Sequence, residues 1–332
     1  MNLESFRKYW KVIIVIVIFA LIPQIVTSST ILDILIYMFF FAYFALAWSI
    51  LGRFLGQLSL GHAIFFGIGS YATLVLFLDY GYSPWIGMFV GAIIAGIVGV
   101  LLGVLTFRFR GPYYALSTLA FAEILHAVSL HPRLEWLTGG ALGRLIKWEG
   151  VSLKTISFLS KVPYYYIMGF LLLILVIIAY KIKKSKMGFY FRAIREDEDA
   201  ASSIGVNVYK YKLIGAGISA FFTGILGAFY IGYVRYIDPA HAFGLWRSVD
   251  PIIYSIFGGA GIIGPILGSF ILTPLTQGLR IFYGAQFGSY VRLIYGLVLV
   301  CILLFIPNGV KDILKKAWNR LDKIFEGIYD RI

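Results

Sequence analysis

Apolar residues run through this chain in long blocks, and the charged residues are gathered into short clusters between them. Ile34–Leu51, Phe54–Leu78, Tyr80–Phe107, Leu213–Val234 and Pro251–Leu279 contain no Asp, Glu, Lys or Arg. About 20 apolar residues in helical form cross the ~30 Å hydrocarbon core of a bilayer. Inside lipid the backbone must satisfy its own hydrogen bonds, so a span is a helix or part of a closed barrel. Val12–Ile18 reads VIIVIVI and Ile34–Ala42 reads ILIYMFFFA. Both are apolar on every face, unlike the alternating strands of a membrane barrel. The pattern predicts an all-α, polytopic transmembrane helical bundle.

The blocks divide into about ten predicted spans. They are Val12–Val26, Ile34–Leu51, Leu58–Leu78, Ile86–Phe107, Tyr113–Leu130, Pro163–Tyr180, Leu213–Tyr233, a short descent after Pro251, a return over Ile266–Phe282, and Leu293–Ile306. The descent and return are separated by Gly258–Pro265, whose glycines and proline favour a turn. Residues 1–310 form the membrane domain, with a polar segment at 187–212 inside it. Residues 311–332 form a tail, and from Val310 onward Ile313, Leu314, Ala317, Trp318, Leu321, Ile324, Phe325 and Ile328 recur at helical spacing. Lys311, Lys315, Lys316 and Lys323 lie off that stripe, as in a helix resting on a membrane surface.

Composition sharpens this picture. Hydrophobic residues make up 60% of the 332 and charged residues 14%, with 29 Lys and Arg against 16 Asp and Glu. The net +13 does not point to nucleic acid, because the basic residues flank apolar blocks, where they orient a membrane protein. Arg7, Lys8 and Lys11 before Val12–Val26 resemble the start of a signal peptide. The absence of a small-x-small cleavage site favours a retained first span with its amino end in the cytoplasm. From that start, Arg53, Arg108, Arg110 and the run Lys181–Lys186 all fall on the cytoplasmic side, and Asp79 and His131–Val162 fall outside. Both termini are then expected in the cytoplasm of a prokaryotic plasma membrane. The one cysteine, Cys301, permits no intrachain disulfide and gives no metal-site spacing.

The chemistry is sparse. There is no G-x-x-x-x-G-K-[ST] phosphate loop, no His-Glu-x-x-His and no nucleophile elbow. No cofactor and no metal are expected, and any ATP must be hydrolysed by another polypeptide. Glu123 is the one acidic residue near the middle of a predicted span, with His126 on the same helical face. Such a pair is either a proton relay or a hydrogen-bonded structural acid. Gly87, Gly91, Ala95, Gly99 and Gly103 recur every four residues, a stripe suited to close helix packing.

Two segments say more. Gly56–Tyr71 packs Gln57, Ser59, His62, Ser70 and Tyr71 among glycines at the head of an apolar span. Irregular backbone at membrane depth is tolerated only inside protein or beside a cavity. These residues either line a translocation path or serve helix packing. Met187–Gly205 places Arg192 and Arg195 before four consecutive acids, Glu196, Asp197, Glu198 and Asp199, followed by Ala200, Ala201 and a closing Gly205. Acids suit the positive end of a helix. A short self-capped helix of this kind is a docking knob for a cytosolic partner, or else an ordinary charged loop.

Together these segments resemble the permease subunits of branched-chain amino acid ABC importers, the LivM-type half rather than its LivH-type mate. Gly56–Tyr71 is similar to the family's GxLSLGHAxFFGIGxY, and Gly188–Gly205 to its GRxxxAIREDExAAxxxGIN, with Gly188-Phe-Tyr-Phe in place of the Gly-Arg start. Gly258–Gly268 approximates GGxGxxxGPxxG, one residue shorter before its Gly-Pro. The resemblance implies a type II-like importer permease working with a second permease chain, two cytoplasmic ATPases and an external solute-binding protein. Arg195–Gly205 would then be the helix that couples ATP binding to the bundle. Branched-chain amino acids are the implied cargo, with other amino acids, urea or short amides open. A proton-coupled carrier using Glu123 is the rival reading.

Overall fold

The computed structural model describes residues 19–26, 28–147, 150–283, 296–297, 300 and 309–311. Its helices follow the apolar blocks. Helix α1 (Ser29–Ser49) runs on through a π-helical turn, Ile50–Phe54. It is followed by α2 (His62–Leu78), α3 (Pro84–Thr106), α4 (Pro112–Ser129), α5 (Val162–Lys184), α6 (Lys186–Glu196), α7 (Glu198–Ser203) and α8 (Val208–Val234). The described fold closes with α9 (Pro239–Phe243), α10 (Leu245–Gly258) and α11 (Ile263–Tyr283).

Among the described residues four helices are long and apolar enough to cross a membrane, and up to six if each of two bent pairs is one span. The four are α1 with its π-turn, α3, α5 and α8. Helix α2 is a shorter apolar helix. Residues 19–25 of the expected first span are helical. Most of the expected final span, Leu293–Ile306, with Cys301, and nearly all of the 311–332 tail lie outside the described residues, so ten spans are not reached within them.

Helix α2 begins at His62, not at the expected Leu58. Gly56 takes φ +76°, a left-handed turn that only glycine adopts freely. The chain then folds back on α1, with the Gln57 N–H donating to Leu51 O at 3.0 Å and Trp48 Nε1 to Ser59 O at 3.0 Å. Seventeen residues rise about 25 Å, less than the hydrocarbon core. Residues 55–61 form the non-helical lead-in to α2, with Leu55, Gln57, Ser59 and Gly61 buried and Gly56 and Leu58 exposed.

Small residues bring α2, α3 and α8 together. The stripe Gly87, Gly91, Ala95, Gly99 and Gly103 is buried. A Cβ on Gly99 would lie 2.4 Å from Ala220 Cβ, one on Gly69 2.1 Å from Gly224 O, and one on Gly227 2.1 Å from Phe66 O. The backbones touch, as small-residue seams allow in membranes. Helix α1 packs differently, through aromatic rings. Phe39 meets Tyr165 of α5 and Phe270 of α11 at 5.1 and 5.6 Å between ring centres, and Phe41 stacks on Tyr254 of α10 at 4.7 Å.

The Gly258–Pro265 turn is present as read. Gly259 and Gly261 have φ of 93° and 92°, and the chain bends by 107° between the segments Pro239–Gly258 and Ile263–Ile281. A Cβ on Gly258 would fall 1.7 Å from Gly264 O, and one on Gly268 2.1 Å from Tyr254 O. The glycines thus serve both the turn and the contact between its two arms.

Charges separate to the two ends of the bundle. At one end Arg144 makes a two-pronged ion pair with Asp79, at 2.6 and 2.9 Å, which holds the Asp79 carboxyl below the usual Asp range. There the expected 131–162 loop forms short helical turns and a two-residue strand, Arg144–Leu145, antiparallel to Tyr236–Ile237. At the other end Arg53, Arg110 and Arg195 meet α6 and α7.

Candidate functional site: a clamped helix at the basic end

The four acids divide among three roles. Glu196 is the last residue of α6, Asp197 caps α7, and Glu198 and Asp199 occupy its first turn. This corrects the reading that all four begin one helix. Helix α6 is amphipathic and buries Phe191 and Ile194, which carries its register through Glu196 before the chain turns extended at Asp197. Asp197 Oδ1 accepts from the N–H of Ala200 at 2.9 Å and of Asp199 at 2.8 Å. Those bonds favour the charged form and hold the carboxyl below its usual range. The helix ends at Gly205, φ +85°, where the glycine supplies backbone freedom and no contact.

Three elements hold α7 from beneath. Glu198 accepts from Gln57 Nε2 at 2.9 Å and pairs with Lys212 Nζ of α8. Asp199 takes a bidentate contact from Arg110, 3.1 Å on each arm, out of the α3–α4 turn. Ala201 and Val206 are buried against the bundle. Arg195 bonds Glu196 and reaches Arg53 O at 3.4 Å, and Arg192 stacks over Phe189. The outer surface of the knob carries Ser202, Ser203 and Ile204, and Ile204 is 77% exposed.

The polar residues of Gly56–Tyr71 are buried. Gln57 belongs to the clamp just described. Ser59 accepts from Trp48 through its carbonyl and from the Gly61 N–H through its hydroxyl at 3.3 Å. His62 is fully buried, its Nε2 2.8 Å from Ser219 Oγ. The Ser219 hydroxyl donates to Ala47 O at 2.7 Å. Its one proton is therefore spent, and His62 must be the donor from Nε2. His62 Nδ1 has no partner among the described residues. Ser70 Oγ lies 2.9 Å from Phe66 O and from Gly227 O, and Tyr71 stacks on Phe243 with its hydroxyl 3.4 Å from Thr138 O. The structure brings Gln57 to the clamp, leaves Ser59 in the non-helical segment before α2, and sets His62, Ser70 and Tyr71 along α2.

Glu123 stands apart from all of these. It lies on the outer face of α4 with its side chain 52% exposed, 3.7 Å from His126 Nδ1. A carboxylate on that face does not suit contact with lipid tails.

The profile of the family described as branched-chain amino acid transport system, permease component, matches residues 30–303. The chain belongs to that family. It is 26% identical over 279 residues to the high-affinity branched-chain amino acid transport system permease protein LivM of Escherichia coli (strain K12), covering 77% of this chain and 64% of the relative. The chain thus spans somewhat less than two thirds of that relative's length. It is 24% identical over 282 residues to the probable LivH of Methanocaldococcus jannaschii, covering 77% of this chain and 82% of the relative. It is 24% identical over 217 residues to the nucleoside ABC transporter permease protein NupC of Lactococcus lactis subsp. cremoris, covering 58% and 68%. No solved structure matches.

For a permease component of this family, the residues around the knob that sequence reasoning missed are Arg110, Lys212 and Ile204. Arg110 reaches Asp199 across 89 positions, and nothing local marks the pair. Lys212 lies among other lysines at the start of α8, and its 2% exposure is a tertiary fact. Ile204 did carry a signal, as an apolar residue between polar Ser203 and the terminating Gly205.

Proposed function

We propose that this permease component is the membrane subunit of an ATP-driven importer, and that α7 is the knob through which separate ATPase chains move the bundle. The observation that carries this reading is the clamp. Glu198 and Asp199 tie α7 to the 55–61 segment, the α3–α4 turn and α8, while its Ile204 end stands free. A partner that displaces the knob therefore pulls on three elements of the bundle. The knob end is taken as cytoplasmic because Arg53, Arg108, Arg110 and the Lys181–Lys186 run share it. On that orientation both termini are cytoplasmic, and a span over Leu293–Ile306 completes a count of about ten.

The implied assembly is this chain with a LivH-type permease, two ATPases and a solute-binding protein. The likeness to LivM makes branched-chain amino acids the cargo to test first, and the likeness to a nucleoside permease makes nucleosides the competing class. Glu123, half exposed on the outer face of α4, would on this reading be covered by the second permease chain. Ser59 and His62 enter the path only when the non-helical 55–61 segment shifts.

Reconstitution tests the assignment. Vesicles holding the full assembly should concentrate labelled leucine only with binding protein and internal or external ATP facing the ATPases. Concentrative uptake by this chain alone under a proton gradient would overturn the importer reading in favour of a carrier using Glu123 and His126. Cysteine placed at Ser59 should react with a water-soluble thiol reagent in one nucleotide state and be protected in another. Protection in every state would remove the segment from the path.

A further inference from the structure

On the bundle side of α6 lies a cavity of about 670 Å³ that none of the roles above uses. It opens between the π-helical turn of α1, the end of α5, α6 and the α10–α11 turn, and its charged lining residues are Arg53, Lys183, Arg192, Arg195 and Lys311. No acid is among the described lining. Arg195 has Glu196 as a partner, but no carboxylate lies within ion-pair distance of Arg53, Lys183, Arg192 or Lys311 among the described residues.

The cations are held in place by structure. Arg53 donates to Ser255 O at 3.0 Å, and Lys311 to Ala260 O at 2.9 Å. A Cβ on Gly261 would sit 3.4 Å from Lys311 Nζ and 3.9 Å from Lys183 Nζ, so two ammonium groups converge on one turn. Five like charges around one concavity repel one another, and an anion in the cavity relieves that repulsion. Guanidinium groups suit phosphate oxygens in particular.

Depth identifies the source of the anion. Lys183 is the next-to-last residue of α5, whose 23 residues rise about 35 Å against a ~30 Å hydrocarbon core. The cavity therefore sits at headgroup level. Beside it Arg192 stacks 4.6 Å over the ring of Phe189, which is 61% exposed and apolar. Basic pockets between spans at this level take lipid headgroups.

We propose that this cavity binds the phosphate-bearing headgroup of an anionic phospholipid, with Arg192 and Arg195 on the α6 wall and Lys183 and Lys311 opposite. The choice of inner leaflet rests on the orientation proposed above; the binding does not.

The test is a lipid titration of the purified full-length assembly, read by native mass spectrometry, with phosphatidylglycerol and phosphatidylcholine as probes. Arg192→Gln with Lys183→Gln should weaken phosphatidylglycerol binding about 30-fold, from roughly fivefold per surface cation. Phosphatidylcholine binding should not change. Lys147→Gln with Lys154→Gln, which removes the same charge at the opposite end, should leave both unchanged. The charge-preserving Arg192→Lys with Lys183→Arg should bind within about threefold of the unaltered chain; an equal loss there would make charge irrelevant and overturn the assignment. Equal phosphatidylglycerol binding in the Gln variant would overturn it too. So would saturable binding of inorganic phosphate alone with lipid binding unaffected, which assigns the site to a free anion. Release of the ATPase chains from the Gln variant without added lipid would assign the cavity to an acidic segment of the partner instead.

Discussion

Lys212 is 2% exposed, and its ammonium meets Glu198, a side chain 21% exposed on the neighbouring helix. A charge in that position is tolerable only while its partner stands, because removing one member of a buried pair costs on the order of 3–5 kcal/mol. Glu198→Gln should therefore lower the midpoint of thermal unfolding in detergent by more than Glu198→Gln combined with Lys212→Met, even though the second variant has lost more of the clamp. Equal or additive losses would show that the pair is not coupled. Asp197 makes a prediction in pH. Its folded-state pKa is depressed by the Ala200 and Asp199 N–H groups, so its contribution is complete above the ordinary Asp value of ~3.9 and is lost as pH falls through the folded value. Exchange of the Ala200 amide, corrected for its intrinsic rate, should accelerate only in acid below that range. Asp197→Asn keeps an oxygen acceptor and should abolish the acid-dependent step; its persistence would assign the step to another carboxyl. The sequence displayed these acids openly, but their partners, Gln57, Arg110 and Lys212, are set by tertiary distances that no local pattern encodes.

Elements were legible wherever an apolar block had one continuous conformation. Ile86–Phe107 became Pro84–Thr106 and Pro163–Tyr180 became Val162–Lys184, because length in lipid and helix ends at charged turns leave little choice. The start of α2 was not legible, since Leu58 and Leu60 are as apolar as the helix they precede, and only the positive φ at Gly56 takes them out of it. The glycine stripe of α3 was legible as a contact, though its partners were not. Gly99→Ala should cost about 1–3 kcal/mol through overpacking, because its Cβ would press on Ala220 at 2.4 Å. Adding Ala220→Gly should restore most of the loss, measured as monodisperse protein after heating; no recovery would mean the seam is not where the strain arises. In the hairpin, Gly258→Ala should remove folded protein, since its Cβ would overlap Gly264 O. Gly278→Ala, with nothing within 4 Å of the new methyl, should be accepted.

At the scale of the whole molecule, the proposed function turns on a contact with another chain. On that reading Ile204, 77% exposed at the tip of the knob, is the apolar group that the ATPase chains bury. Ile204→Glu should weaken retention of the ATPase chains by about tenfold or more, as truncation of a buried interface anchor does, while leaving the bundle's own unfolding unchanged. Full retention would move the docking surface elsewhere.

Helix α8 is fastened to its neighbours in two ways, and together they decide where an imposed displacement goes. Toward α2 and α3 it packs backbone close to backbone at Gly224, Gly227 and Ala220. It is also tied to α2 by His62 on Ser219, by Ser70 on Gly227 O and by Tyr230 against the Phe66 ring at 5.3 Å. Toward α1 it meets Phe40 through Tyr230, and α1 is interlocked in turn with α5, α10 and α11. On the proposed function, a push delivered at α7 would reach α8 through Lys212 and carry α2 along with it, so that the two helices move as one body.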